Sequence, residues 1–132
     1  MTVDFILADF VSRLNVASKA HMLSVKVRYT DLTLRLLDLL YSNGLIDYFV
    51  VLGDVIVVYL RYSKGLSSFS SLKLISKPSK RIYWSFSFLD LVHRCSNFGG
   101  FYIISTQVGL LTSTDCILHG SVSGEVLLKV TL

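Results

Sequence analysis

The stretch Ser105–Thr112 groups side chains that can donate and accept hydrogen bonds. It reads Ser-Thr-Gln-Val-Gly-Leu-Leu-Thr and follows the apolar run 101–104, which has the composition of a buried strand. No hydroxyl in it becomes a nucleophile unless a base lies beside it. The stretch does supply small donors and acceptors, and Gly109 would let another backbone approach closely. Two interpretations follow: a surface that hydrogen-bonds an extended polar partner such as a nucleic-acid groove, and an ordinary turn between two strands.

An enzymatic site is one alternative, and it would be a hydrolase site that combines Ser105, Asp115 and His119. The glycine pattern of a nucleophile elbow does not surround Ser105. Asp115 and His119 lie four residues apart on one predicted short helix. We therefore predict that the protein is not an enzyme and has no small-molecule substrate.

The cysteines and histidines show neither a disulfide framework nor a metal site. Cys95 and Cys116 lie far apart, and neither belongs to a C-x-x-C pair. We expect two reduced, packed thiols in a reducing compartment. His21, His93 and His119 share no metal-ligand spacing, so no metal and no cofactor is predicted.

The composition predicts a well-buried globule. Of the 132 residues, 52% are hydrophobic and 17% are charged, which argues against disorder. No apolar run reaches the ~18 residues that a membrane span needs. The longest candidate, 48–60, is interrupted by Gly53-Asp54, a pair typical of a hairpin turn. The net charge of +4 permits an anionic partner without requiring one.

Residues 1–64 predict an amino-terminal α/β lobe. Apolar residues recur at helical spacing over 4–18. A second helix is expected to begin after Thr30, a suitable N-cap, and to end at Asn43-Gly44. Three other segments are predicted to be strands: 22–27, 45–52 and 55–62. The predicted order is therefore helix, strand, helix, strand, strand.

Residues 65–132 predict a carboxyl-terminal lobe that is mostly antiparallel β-sheet with a short helix. The serine-rich segment 63–68 is the expected connector, and Lys77–Arg81 is a basic turn. The predicted strands are 72–76, 82–86, 101–104 and 125–132. The predicted short helices are 88–95 and a segment capped by Thr112 that ends at Leu118. The chain is thus expected to be an α/β protein of two small lobes.

A protein-interaction module is another alternative. Trp84, Phe86 and Phe88 lie close together in the sequence, and exposed aromatic side chains would bind a partner protein without any RNA contact. The competing interpretation assigns the same side chains to the hydrophobic core.

The carboxyl half resembles the family of small-subunit ribosomal protein eight, of the bacterial type. In that family a strand ends in a Ser-Thr-Ser-x-Gly turn followed by an apolar pair and a threonine, matched here by Ser105–Thr112. A Ser-Arg-Pro-Gly-x-Arg-Ile-Tyr run is matched by Ser76–Tyr83, and a closing Gly-Gly-Glu by Ser123–Glu125. The amino half agrees more loosely, through Ala8–Leu14 and Asn43–Ile46.

The resemblance implies a structural constituent of the small ribosomal subunit that supports subunit assembly and translation. It implies that the carboxyl lobe binds a helix in the central domain of the small-subunit rRNA. It also implies neighbouring small-subunit proteins as partners, ribosomal protein five first among them. An RNA duplex exposes a shallow minor groove lined by 2′-hydroxyls, which short polar side chains and backbone amides can contact. The residues implied to contact the rRNA are Ser105, Thr106, Gln107, Gly109, Lys77, Lys80, Arg81, Tyr83, Glu125 and Arg13.

The sequence departs from the family pattern at several positions. Gln107 replaces a serine, Val108 a basic or polar residue, and Ser123 a glycine. The basic Ser-Lys-Leu-Lys entry to the second helix is here Thr-Asp-Leu-Thr at 30–33. Fewer phosphate contacts would lower the salt dependence of RNA binding by about one slope unit for each lost contact.

These departures, with the modest positive charge and the wealth of Leu, Phe, Tyr and Ser, suggest a divergent organellar copy. Since the match begins at Met1 without a leader, we expect a protein made inside the organelle, in the mitochondrial matrix. A plastid or a bacterial cytoplasm is the alternative location.

Overall fold

The computed structural model describes residues 3–77, 80–95, 99–119 and 124–132. Contacts between Cα atoms divide the chain into two compact units, a first unit that ends at Leu72 and a second unit that begins at Lys73. The mixed α/β fold class is confirmed, with a helix–strand unit followed by an antiparallel sheet and short helices. The sequence predicts that the amino-terminal lobe ends at Lys64. That the chain divides into two domains at this position stays a prediction.

The first unit begins with two helices and a three-stranded antiparallel sheet. Its elements are α1 (Val3–Lys19), β1 (Ser24–Arg28), α2 (Asp31–Ser42), β2 (Ile46–Leu52), β3 (Val55–Leu60), β4 (Tyr62–Ser63) and β5 (Leu66–Ser67). Strand β3 lies in the centre of the sheet, in the order β1-β3-β2. The expected connector 63–68 instead contributes to the β4–β5 hairpin, whose turn residues Lys64 and Gly65 both have positive φ.

Helix α2 begins and ends where its sequence predicts. The hydroxyl of Thr30 accepts a hydrogen bond from the N–H of Thr33 at 3.0 Å, which satisfies one of the unpaired donors of the first turn. At the other end Asn43 caps the helix and Gly44 has a φ of 75°. The buried face of the helix contains Leu36, Leu37 and Leu40 as well as Thr33. Burial of each leucine contributes roughly 1.5–3 kcal/mol.

One amide side chain ties helix α1 to the last residue of the first unit. Asn15 Nδ2 donates to the carbonyl oxygen of Leu72, and the Leu72 N–H donates to Asn15 Oδ1, both at 2.8 Å. Each such hydrogen bond contributes about 1 kcal/mol net. The pair joins positions that are 57 residues apart in the sequence.

The pairing of β2 with β3 contains a bulge at Asp47. Ile46 lies opposite Leu60, whereas Tyr48 lies opposite Tyr59. Because neighbouring residues of a strand project to opposite faces, the extra residue lets Ile46 enter the core while Tyr48 joins Tyr59 on the other face.

The remaining elements form a mostly antiparallel sheet with two short helices. They are β6 (Ser71–Leu74), β7 (Tyr83–Trp84), α3 (Phe86–Cys95), β8 (Gly100–Thr106), β9 (Gly109–Thr112), α4 (Ser113–His119) and β10 (Gly124–Thr131). The strand order is β6-β10-β8-β9, and β7 also pairs with β10. The Thr112 hydroxyl accepts from the Asp115 N–H at 3.1 Å, as expected for the cap of α4.

The predicted strand 82–86 is wrong over most of its length. Only Tyr83 and Trp84 pair as a strand, and α3 begins at Phe86. The reason is local, since the Ser85 hydroxyl accepts a hydrogen bond from the Phe88 N–H at 3.3 Å and so caps a helix that begins two residues before its predicted start.

A small hydrophobic core in the second unit packs the two helices on the sheet. It contains Leu89, Ile104, Cys116 and Val126, with Trp84 packed against it. Burial raises the pKa of the Cys116 thiol, and the neighbouring Asp115 carboxylate raises it further. Of the aromatics considered for protein binding, Trp84 and Phe86 are half-buried, and Phe88 is exposed. The Cys95 side chain lies outside the described residues.

None of the helices in the described ranges combines the length and apolar content that a membrane crossing requires. Within the same ranges, His, Cys, Asp and Glu side chains form no group of three that could hold a metal ion.

Candidate nucleic-acid interface

One row of residues crosses the second unit's sheet at one end. Tyr83 lies opposite Glu125, Glu125 opposite Ser105, and Ser105 opposite Leu110. Residues directly opposite each other in antiparallel strands project to the same face, with Cβ atoms about 5 Å apart. The row therefore presents four side chains on one face over about 14 Å.

An ion pair places a cation beside this row. Arg81 donates through a terminal guanidinium nitrogen to Glu125 Oε1 at 3.2 Å. The Glu125 side chain is only 15% exposed, against 41% for Arg81. The largely buried carboxylate thus positions the guanidinium at the surface, while its own negative charge would repel a phosphate. Glu125 is therefore better suited to holding Arg81 than to contacting a nucleic-acid backbone.

The basic turn before Arg81 is fixed at its base by a buried serine. The Ser76 hydroxyl donates to the carbonyl oxygen of Val126 at 2.6 Å and accepts from the Ile82 N–H at 3.1 Å. Lys77 and Lys80 exchange two backbone hydrogen bonds, at 2.9 and 3.0 Å, and both residues are exposed. The turn residues 78–79 lie outside the described residues. Because Val126 adjoins Glu125 in β10, the two lysines emerge close to the Arg81–Glu125 pair.

The turn between β8 and β9 uses the hydroxyl of Thr106. This hydroxyl donates to the carbonyl oxygen of Gly109 at 2.7 Å and accepts from the N–H of Val108 at 3.2 Å. A hydroxyl has one donor and two acceptor positions, so only one acceptor remains for a ligand. Gly109 has a φ of 126°, which side-chain-bearing residues rarely adopt. The main role of Thr106 and Gly109 is therefore to shape the turn.

Ser105 and Gln107 retain their hydrogen-bonding capacity. Both residues are exposed. Within the described part of the chain, neither side chain makes an intramolecular hydrogen bond. A free hydroxyl and a free carboxamide together supply donors and acceptors for the edges of bases and for 2′-hydroxyls.

Two further residues that shape this region were not among the candidates from the sequence. A Cβ on Gly124 would clash with the carbonyl oxygen of Ser105, so a glycine is needed for β10 to approach the end of β8. Ser76 holds the basic turn, as described above. Ser76 and Gly124 lie in the two segments that match the family pattern, Ser76–Tyr83 and Ser123–Glu125, and this match is the sequence signal that points to them. Their roles depend on partners far away in the sequence.

Arg13 belongs to the first unit, whereas the residues described above belong to the second. Its Nε lies 3.0 Å from Asp9 Oδ2, and a terminal nitrogen donates to the Lys26 carbonyl oxygen at 3.4 Å. The two side chains, four residues apart, thus form an ion pair along one face of α1. For the hydrolase alternative, no hydrogen bond among the described residues joins Ser105 to Asp115 or His119.

The chain matches known proteins over nearly its whole length. The family model described as Ribosomal protein S8 matches residues 5–131. Small ribosomal subunit protein uS8 of Mesomycoplasma hyopneumoniae (strain 7448) is 36% identical over 124 residues, 92% of each chain. The uS8 protein of Dictyoglomus thermophilum is 31% identical over 134 residues, 98% of this chain and 99% of the relative. That of Orientia tsutsugamushi is 32% identical over 137 residues, with the same shares. These matches confirm the resemblance carried by the sequence: the chain belongs to the ribosomal protein S8 family.

Proposed function

We propose that this protein is a structural, non-enzymatic component of the small ribosomal subunit that binds small-subunit rRNA through its second unit. The observation that carries the proposal is the row from Tyr83 to Ser105, with Arg81 held beside it by Glu125. Family membership supports the same function, since the relatives above are named as small-subunit proteins.

The row suits the minor groove of an RNA duplex. Ser105 and Gln107 would hydrogen-bond 2′-hydroxyls and base edges in the shallow groove. Lys77, Lys80 and Arg81 would contact phosphates and so fix the position of the protein on the RNA. Three cations and one largely buried carboxylate leave this region positive overall, which favours approach to RNA.

The target we propose is a helix in the central domain of the small-subunit rRNA, bound during subunit assembly. Neighbouring small-subunit proteins, ribosomal protein five among them, are the proposed protein partners. The short polar side chains at the end of the sheet support a duplex as the target, because they need only a shallow groove and no unstacked bases.

The test is a binding titration of the full chain with a central-domain rRNA fragment at two or more salt concentrations. Replacing both Ser105 and Gln107 by Ala should weaken binding about 30-fold, because two hydrogen bonds of about 1 kcal/mol each are lost. The Arg81→Ala variant should also lower the slope of log affinity against log salt by about one. The matched control is Ser87→Ala, which removes an exposed hydroxyl on α3. Affinity and slope equal to the control in both variants would contradict the interface and favour an interaction module without RNA contact.

We further propose that the protein works in a mitochondrial ribosome. The net charge of +4 supports this location, because a chain whose RNA contacts have drifted retains few surplus cations. The relatives reported above are bacterial, and a bacterial cytoplasm or a plastid is the alternative. Mitochondria purified from the source cell should contain the protein in the small-subunit fraction of a sucrose gradient. Its absence from that fraction would contradict this location.

A further inference from the structure

The sheet of the first unit has two edge strands that differ in how they are protected. Among the described residues the strand order is β1-β3-β2, so β1 and β2 each have one side without a neighbouring strand. An edge strand leaves a row of backbone N–H and C=O groups unpaired, and another strand can add to it. Proteins commonly prevent such addition with cationic side chains, with proline or with a group that covers the edge.

The hydrogen bonds between β1 and β3 show which backbone groups point outward. The Leu60 N–H donates to the carbonyl oxygen of Leu23 at 3.1 Å, and the Tyr29 N–H donates to that of Asp54 at 2.9 Å. Backbone groups alternate in direction along an antiparallel strand. The even-numbered residues of β3 therefore bond β1, and its odd-numbered residues 55–59 bond β2.

The edge of β1 is protected. Its outward groups belong to the even-numbered residues, and Lys26 and Arg28 at these positions are exposed cationic residues. A terminal nitrogen of Arg13 also donates to the outward carbonyl oxygen of Lys26 at 3.4 Å. Both side-chain charge and a covering group thus oppose the addition of a strand here.

The edge of β2 has neither form of protection over residues 48–52. Residues 48, 50 and 52 lie opposite the odd-numbered residues of β3, so their backbone groups point towards β3. The N–H and C=O groups of Phe49 and Val51 therefore point to the free edge. Strand β2 contains no lysine, arginine or proline, and its one charged residue, Asp47, lies at the bulge.

The side chains along this edge are apolar and exposed. The exposed fractions are 47% for Tyr48, 39% for Val50, 43% for Val51 and 57% for Leu52. Val50 and Val51 project to opposite faces, so neither face of the sheet is fully covered at this end of the strand. A long apolar edge of this kind is a template for pairing with another chain.

We propose that two copies of this chain pair along the free edge of β2 and form one six-stranded antiparallel sheet. The two-fold axis passes beside Val50. In this register Phe49 of each copy lies opposite Val51 of the other copy, and the two residues exchange both of their backbone hydrogen bonds. The outward N–H and C=O groups of both copies are then all paired.

The composition of β2 makes a second copy the fitting partner. In the same register Asp47 lies opposite Gly53 of the other copy, so like charges do not face each other. Without a charge at 48–52, the strand has nothing that selects against its own copy, and it has no cation for an RNA phosphate. Every facing pair at 48–52 is apolar: Val50 with Val50, Phe49 with Val51, and Tyr48 with Leu52.

Self-association of the free full-length chain is the first test, and sedimentation velocity measures it. One paired strand is smaller than a standard interface, so we expect a dissociation constant on the order of 100 µM. Val50→Lys should raise that constant at least about 10-fold, because two lysines would face each other at the axis. The matched control is Val16→Lys, the same substitution at a 64% exposed position on α1, and it should associate like the original chain.

A second variant tests the backbone pairing itself. Val51→Pro removes an outward N–H and leaves the hydrogen bonds to β3 intact, because proline is tolerated on an edge strand whose N–H faces solvent. It removes two of the four hydrogen bonds between the copies, so the dissociation constant should rise about 30-fold or more. Circular dichroism of the monomer checks that the variant is folded.

Disulfide trapping tests the register. In a chain with Cys95→Ser, Val50→Cys should cross-link to itself under mild oxidation, since facing Cα atoms of a pair without hydrogen bonds are about 4.5 Å apart. Leu52→Cys is the control, because its two copies would lie about 13 Å apart along the strands. The native Cys116 is fully buried and does not compete. We expect the Val50→Cys dimer to form at least about 10-fold faster than the Leu52→Cys dimer.

Several outcomes would overturn the pairing. One is a chain that stays monomeric up to about 500 µM, well above the expected dissociation constant. Others are a dimer that neither Val50→Lys nor Val51→Pro weakens, and equal rates of cross-linking at positions 50 and 52. A free chain that stays monomeric while Val50→Cys cross-links to another protein in the small subunit would assign the edge to that protein. The inference concerns the free chain and goes beyond the proposed function, so its failure would leave rRNA binding by the second unit untouched.

Discussion

The β2–β3 hairpin of the first unit and the β8–β9 hairpin of the second hold their strands together in different ways. The β2–β3 hairpin pairs long strands, and its turn glycine, Gly53, has a φ of 64° and open space around it. The β8–β9 hairpin has four paired positions and a turn fastened by the Thr106 hydroxyl. It also has a neighbouring strand so close that Gly124 cannot bear a side chain without shifting the backbone of Ser105. The first turn thus depends on its own residues, whereas the second also depends on contacts with the rest of its sheet.

This difference divides the polar residues of the second hairpin into two groups. The Thr106 hydroxyl donates its only hydrogen bond within the turn, whereas the side chains of Ser105 and Gln107 donate none to the residues that the structure describes. A residue can therefore belong to a candidate binding stretch and still act mainly on the shape of the protein. Stability measurements and RNA binding should separate the two groups.

The largest effect is expected at the close approach of β10 to β8. Gly124→Ala should destabilise the full chain by about 2–3 kcal/mol in denaturant unfolding, because its Cβ would overlap the Ser105 carbonyl oxygen. Gly99→Ala is the matched control, since a Cβ there meets no atom within 4 Å. The control should stay within about 0.5 kcal/mol of the original chain. Equal stabilities of the two variants would mean that the close approach does not constrain this hairpin.

A direct comparison of the two turns should give the next effect. Gly53 has a φ of 64°, which lies in the left-handed region, whereas the 126° of Gly109 lies outside it. Gly53→Ala should cost about 1 kcal/mol of unfolding free energy, and Gly109→Ala about 2 kcal/mol or more. Gly53→Asn should recover part of the loss, because asparagine tolerates the left-handed region, and Gly109→Asn should not. The reverse order of costs would contradict the contrast between the turns.

The smallest effect is expected from the hydroxyl that fastens the second turn. Thr106→Val keeps the shape of the side chain and removes both hydrogen bonds, so it should destabilise the chain by about 1 kcal/mol, with about 0.5 kcal/mol for each bond at this partly exposed turn. Thr106→Ser retains the hydroxyl and should recover most of that stability. If Thr106→Val instead leaves stability unchanged and weakens rRNA binding as strongly as the Ser105 and Gln107 changes, the hydroxyl contacts RNA and does not hold the turn.

The features that the sequence predicts well are those whose cause lies within a few neighbouring residues. The Thr30 cap, the Asn43-Gly44 end of α2 and the Gly53-Asp54 turn are all found where the local pattern predicts them. Each depends on the backbone preference of one residue or on a hydrogen bond three positions away. Such local signals determine the structure of their segment regardless of how the rest of the chain folds.

The sequence fails to predict other features for two different reasons. The start of α3 has a local one: the Ser85 cap competes with the alternating pattern of 82–86, and in the structure the cap prevails. The role of Ser76 depends on a distant residue, since its hydroxyl donates a hydrogen bond to the carbonyl oxygen of Val126, 50 residues later. The contact between Gly124 and Ser105 likewise appears only when β10 pairs with β8. These roles arise only in the assembled sheet, so they cannot be predicted from the type of a single residue.

The Asn15 amide also sets an order of events during synthesis. Its partner Leu72 is made 57 residues later, so both hydrogen bonds must wait for that residue. At elongation rates of about 5–20 residues per second, the delay is about 3–11 seconds. Throughout that interval the Asn15 amide lacks both of its Leu72 partners. Helix α1 is therefore made first, yet its full set of contacts in the first unit is completed only by the last residue of that unit.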